Sequence, residues 1–176
     1  GSGAVGKTTM VRILSQHASL ANATEEAYKR TPFMNIETNP VKDDSGNLIG
    51  RMQYYDLAGQ IDLPIHALKD FSHRVLGYAD LIILVFSSSN LQSFLDLQEW
   101  VKIIDQALIE MSKDKKVPKF LLVQNKIDLP SSVDAQFVNQ LMTVDTRISA
   151  IFRISCVNGE GLAEFSTWLK TELFET

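Results

Sequence analysis

The first eight residues, Gly1-Ser2-Gly3-Ala4-Val5-Gly6-Lys7-Thr8, fit the pattern G-x-x-x-x-G-K-[ST] of a phosphate-binding loop. Its glycines let the backbone curl so that successive N–H groups point inward. A helix starting there adds further unpaired N–H groups for an anion. Lys7 would reach the β- and γ-phosphates as a point charge, and the Thr8 hydroxyl would ligate a magnesium ion bridging them. The plainer reading is a Gly-rich leader that happens to precede a helix. Such a loop is normally fed by a buried strand, so an apolar strand is expected upstream of Gly1.

Three further segments carry site chemistry. Asp56-Leu57-Ala58-Gly59-Gln60 ends a stretch of strand character. A carboxylate at a strand's C-terminal end can hold magnesium through water. Gly59 offers an unencumbered N–H to a γ-phosphate, and the Gln60 amide can both accept from and donate to an attacking water. Alone, this is an ordinary strand-to-loop turn; in register with the phosphate loop it gains a role. Asn125-Lys126-Ile127-Asp128 follows the apolar run Phe120-Leu121-Leu122-Val123, at the end of a strand where ligands bind in open α/β sheets. The Asp128 carboxylate can accept from guanine N1–H and the 2-amino group, a donor pair that adenine lacks. Asn125 would brace the loop and touch the base, and the Lys126 stem would cover the base face. Ser155-Cys156-Val157-Asn158-Gly159-Glu160-Gly161 would present backbone N–H groups, chiefly that of Cys156, to the guanine O6. The Cys156 thiol itself reads as a small buried hydrophobe, with no histidine beside it to make it a nucleophile.

The chain alternates apolar runs with amphipathic stretches, the pattern of an α/β domain. Lys7 to Ser19 reads as a helix with Met10, Val11, Ile13, Leu14 and Ala18 on one face. Residues 20–32 read as a loop. Pro32 to Val41 and Leu48 to Tyr55 read as an antiparallel hairpin around the turn-rich hexapeptide 42–47. Leu81 to Phe86 is unbroken apolar sequence, expected of a strand buried on both faces. Leu91 to Met111 reads as one long helix with Phe94, Leu97, Trp100, Val101, Ile104 and Leu108 on its apolar stripe. A strand at Phe120 to Val123, a helix at Val133 to Met142, a short strand at Ile148 to Ile154 and a helix at Glu160 to Phe174 complete one domain spanning 1–176.

Composition narrows the classes of function. With 17 basic and 21 acidic residues, the net charge of −4 argues against nonspecific nucleic-acid binding. A chain of 176 residues that is 45% hydrophobic is neither disordered nor collagen-like. No apolar run approaches the ~18 residues of a membrane span. The single cysteine forms no internal disulfide, which points to a reducing, cytoplasmic setting. Neither a signal peptide nor a prenylation cysteine is evident, so membrane contact is expected only indirectly or through segments outside this sequence. The three histidines, His17, His66 and His73, lack metal-ligand spacing.

Taken together, GxxxxGKT, DxxGQ, NKxD and SCxxGxG follow one another in the order of a small GTPase of the Ras-like superfamily, which the chain resembles over residues 1–161. The resemblance implies a three-layer P-loop G domain. Its sheet would be mostly parallel and six-stranded, with one antiparallel edge strand and its first strand expected ahead of Gly1. It also implies a GTP-on, GDP-off switch. Residues Gly1, Gly3, Ala4, Val5, Gly6, Lys7, Thr8 and Thr9 match the phosphate loop; Asp56, Gly59 and Gln60 match the second switch. Asn125, Lys126, Asp128, Ser155, Cys156 and Val157 match the guanine site. Gln60 falls on the water-orienting residue, and Gln60 and Lys7 are the expected catalytic groups. The family also places a threonine on magnesium from the first switch. Thr31, just before Pro32, is favoured over Thr24 and Thr38, giving a metal set of Thr8, Thr31 and Asp56. The subfamily stays open: the long stretch after Asp56 resembles Rag/Gtr-type proteins, an Arf-like affinity remains, and Ala58 is nearer the Rab and Ras pattern.

The implied reaction is GTP and water to GDP and phosphate, carried by positioning and electrostatics. Arg30 reads as a solvated charge rather than an internal arginine finger. Intrinsic turnover is therefore expected to be slow until an activating protein donates an arginine. Exchange factors and effectors would engage switch regions around 20–40 and 56–76, where Ile61, Leu63, Ile65, Leu68 and Phe71 are apolar. A dimer is left open. The rival readings are a nucleotide-binding scaffold without useful hydrolysis, and an ATPase or nucleotide kinase, against which the NKID box speaks.

Overall fold

A computed structural model of the chain describes residues 1–15, 19, 20, 22, 31, 34–59, 75–109 and 117–175. After the opening loop, helix α1 (Lys7–Leu14) buries Met10, Val11 and Leu14, one apolar stripe at helical spacing. Strands β1 (Met34–Lys42) and β2 (Leu48–Leu57) pair antiparallel, with Met34 opposite Leu57 and Thr38 opposite Gln53. The Asp43 side chain closes their turn. Its Oδ1 accepts from the N–H of Asn47 at 2.8 Å and of Ser45 at 2.9 Å, while Gly46 takes the left-handed conformation at φ 84°. These bonds, those of Asn47 foremost, hold the Asp43 carboxyl below its ordinary range.

Strands β3 (Leu81–Ser87), β4 (Lys119–Asn125) and β5 (Ile148–Arg153) form a parallel sheet in that order. Two-residue alternation sends their side chains to opposite faces. Val85, Leu121, Val123 and Phe152 join α1 and α5 (Leu162–Phe174) in one apolar cluster. Leu84, Phe86, Phe120 and Leu122 join the other, with α2 (Leu91–Leu95), α3 (Leu97–Ile109) and α4 (Ala135–Val144). Helices on both faces give the expected three layers. β4 sits deepest, with Phe120 to Val123 fully buried.

Among the described residues the strands number five and fall into two sheets, the β1-β2 pair and the β3-β4-β5 trio. Two expectations are corrected. The apolar run of β3 is buried on both faces only over Leu84 to Phe86; Leu81 to Ile83 are half-buried. They face a cavity of about 770 Å³ between β2 and β3, walled also by Tyr54, Trp100, Leu169 and Leu173. The long helix after β3 is two helices jointed at Asp96. The Asn90 side chain caps α2, the Asp96 N–H closes it on Gln92 O, and Asp96 O then starts α3 by accepting from Glu99 and Trp100. Apolar spacing runs on through the joint from Phe94 to Leu97, Trp100 and Ile104, which is why periodicity hides it.

The last helix grips the far end of the hairpin. Lys170 Nζ lies 3.1 Å from Asp44 Oδ1, and a Cβ on Gly50 would sit 2.4 Å from the Phe174 ring.

Candidate functional site

The opening loop curls through left-handed backbone at Ala4 (φ 58°) and Gly6 (φ 91°) before α1 begins, and no acidic residue occupies the first turn of that helix. Its N-terminal N–H groups therefore keep their positive end unneutralised. A Cβ on Gly6 would lie 2.4 Å from Asn125 Nδ2. Glycine is required there by crowding as well as by φ. Lys7 folds back, donating from Nζ to the carbonyls of Gly1 (2.8 Å) and Ser2 (2.7 Å). Burial pushes its pKa down to about 8, against the opposing pull of Asp56. Thr9 is half-buried on the first turn of α1.

Asp56, the penultimate residue of β2, is 3% exposed. Its Oδ2 accepts from Thr8 Oγ1 at 2.5 Å and Thr31 Oγ1 at 3.3 Å, and the two hydroxyls are 3.0 Å apart. Its Oδ1 is buried and has no hydrogen-bond partner among the described residues. The structure thus brings Thr8, Thr31 and Asp56 together. Thr38 lies exposed within β1, and Thr24 lies outside the described residues. Two hydroxyls and one carboxylate, with its Oδ1 orphaned, form a hard, all-oxygen donor set, which fits magnesium. Among the described residues no cluster of three His, Cys, Asp or Glu offers a rival metal site.

Gly59 packs against the loop so closely that a Cβ would come within 2.4 Å of the Ser2 carbonyl. A Cβ on Gly3 would meet only Gly59 O, at 3.8 Å. Gln60 lies outside the described residues, as do Arg30 and the three histidines.

At the end of β4, Asn125 is 1% exposed and donates from Nδ2 to Val5 O at 2.9 Å. Its Oδ1 accepts from the Lys126 N–H at 2.8 Å, and Lys126, at φ 63°, extends Nζ to Ala4 O at 2.8 Å. The NKID turn therefore buttresses the phosphate loop and leaves Asp128 exposed beyond it. Opposite, Ser155 is fully buried, and its Oγ accepts from the N–H of Val157 (3.1 Å) and Asn158 (3.2 Å). This turns the backbone around Cys156, while Gly159 and Gly161 take positive φ. Burial raises the Cys156 thiol to about 11, so it is protonated at neutral pH. Val157 is exposed, and Leu20 reaches over Gly159: a Cβ there would lie 2.9 Å from Leu20 Cδ1.

Sequence reasoning passed over Ser2 and Asp96. Ser2 occupies a free position of the loop pattern, and Asp96 sits among the stripe residues of an apparently continuous helix. No spacing rule joins residues 94 positions apart, yet Ser2 Oγ donates to Asp96 Oδ2 at 2.6 Å.

A glycine-rich loop at a helix start, a hydroxyl–carboxylate cluster beside it, and two strand-end turns on the same edge define a nucleotide-binding domain of the P-loop class. The Ras family model matches residues 1–170, and the chain belongs to that family. The Ras-related protein Rab-32D of Dictyostelium discoideum is 28% identical over 161 residues, 91% of this chain and 65% of that protein. The ADP-ribosylation factor-like protein 3 of Saccharomyces cerevisiae is 24% identical over 173 residues, 96% of this chain and 80% of that protein. The chain thus spans just under two thirds of its Rab relative, and the two relatives lie in different branches of small GTPases.

Proposed function

We propose that this protein is a guanine-nucleotide switch that binds GTP with magnesium and hydrolyses it slowly to GDP and phosphate. The observation carrying this reading is the meeting of Thr8, Thr31 and Asp56, with a buried unpartnered carboxylate oxygen, beside the loop that holds Lys7. Thr8 and Thr31 would ligate the ion, and Asp56 would hold it directly or through water. The ion would supply charge neutralisation to the β- and γ-phosphates. Lys7 and the loop N–H groups stabilise charge growing on the β–γ bridge, and Gln60 aims the water. Asp128 selects guanine, with Asn125, Lys126 and the N–H groups of residues 155–157 framing the base.

Thr31 comes from the switch region around 20–40 and Gly59 from that around 56–76, so a γ-phosphate would hold both and its loss would release them. Those regions then recruit an effector, an exchange factor and an activating protein that brings an arginine. The single cysteine supports a cytoplasmic setting.

Identifying the nucleotide that copurifies, by chromatography after denaturation, tests the reading: GDP or GTP is expected, and an adenine nucleotide overturns it. A turnover assay separates the switch from a hydrolysis-silent scaffold. Gln60→Leu is expected to slow hydrolysis at least about tenfold while GTP affinity stays within about twofold.

A further inference from the structure

Ser2 and Asp96 form a link that the nucleotide chemistry above does not use. The Ser2 hydroxyl donates to Asp96 Oδ2 at 2.6 Å, and Gln92 Nε2 donates to Oδ1 of the same carboxylate at 2.8 Å. Asp96 is also the joint between α2 and α3, so its backbone is fixed by both helices. The link therefore ties the opening loop to the rigid layer on the far side of β3.

What it holds is the Ser2–Gly3 peptide. The Ser2 carbonyl accepts from Lys7 Nζ at 2.7 Å, and the same peptide is the surface on which Gly59 rests. One peptide plane thus sets both the lysine directed at the phosphates and the glycine placed to sense the γ-phosphate. The Ser2–Asp96 hydrogen bond is short and directional, which suits it to fix a plane.

We propose that Asp96, acting through the Ser2 hydroxyl, is a positioning residue that holds the phosphate loop in its nucleotide-gripping shape. This inference rests on the guanine-nucleotide reading above. It assigns the chain a control point for nucleotide release at the α2–α3 joint, outside the ligand-contacting residues. A movement of that joint would slacken the loop without touching the base or the metal ligands.

The test measures release of a fluorescent GDP analogue from purified wild-type, Ser2→Ala, Asp96→Ala, Asp96→Asn and the Ser2→Ala/Asp96→Ala double variant, with Lys102→Gln as an exposed control. Ser2→Ala removes the donor and leaves the helix joint intact, so it reports on the link even if Asp96→Ala folds poorly. Ser2→Ala and Asp96→Ala are each expected to release GDP about tenfold faster, and the double variant no faster than either. Asp96→Asn keeps an acceptor for Ser2 and, after rotation of the Gln92 amide, a partner for Gln92. It is expected within about twofold of wild type. A merely structural role for Asp96 predicts wild-type release from Ser2→Ala and additive losses in the double variant; either result overturns the proposal, as does failure of Asn to restore slow release. If wild-type protein binds no GDP, the guanine reading itself falls. If wild type binds and Ser2→Ala is unchanged, only the link falls.

Discussion

At Asp56 one carboxylate oxygen serves two hydroxyls and the other serves none. A buried oxygen left alone is costly unless a cation completes it. Wild-type protein is therefore expected to lose GDP faster, by at least about tenfold, when a chelator removes magnesium, whereas Asp56→Ala releases fast with or without chelator. Release rates with and without chelator check this. Lys7 gives a pH test. Its folded pKa of about 8 lies below the ordinary 10.5. The unfolded chain thus binds a proton between these values that the nucleotide-free folded chain does not, and stability rises as pH climbs from about 8 toward 10.5. A phosphate anion beside Lys7 restores the charged form, so nucleotide binding at pH 8.5 is expected to take up most of a proton. Calorimetry in buffers of different ionisation enthalpy measures the uptake, and Lys7→Arg, charged throughout, takes up none. Asp128 stands exposed past the NKID turn, and Asp128→Ala is expected to weaken GDP at least about a hundredfold while leaving the melting temperature of the nucleotide-free chain unchanged.

Among the elements, the entry to α5 is the most exacting. Gly161 starts that helix at φ 72°, and a Cβ on it would sit 2.1 Å from Arg153 O. Gly161→Ala is expected to destabilise the fold by about 2 kcal/mol or more, read by denaturant unfolding. It would loosen the Ser155–Val157 turn at the same time. Sequence made this element legible because SCxxGxG marks a strand end, a turn and a helix start in seven residues. The hairpin was legible for a like reason: Asp43, Gly46 and Asn47 have one turn to make, and they make it. The α2–α3 joint was not, because an apolar stripe reports which side is buried and is blind to a one-residue interruption between two helices. The meeting of Thr31 with Thr8 was legible only by comparison with a family, since residues 23 apart and either side of a loop share no periodicity. Ser2 with Asp96 was legible by neither route.

For the whole molecule, the three layers are pinned around β4, whose residues Phe120 to Val123 are fully buried. Arg147 fastens one margin of this core, lying over the Phe120 ring at 4.4 Å while bonding Asp145 and Asp105, and those carboxylates raise its pKa. The opposite margin holds the cavity between β2 and β3.

The bond from Lys170 to Asp44 and the seating of Phe174 on Gly50 acquire a mechanical meaning in this setting. The hairpin is a rod clamped at its tip, while its other end supplies Asp56 and follows Thr31. A rod held at one extremity can pivot but not slide. Severing the chain before Lys170 would remove both contacts and free the hairpin's tip.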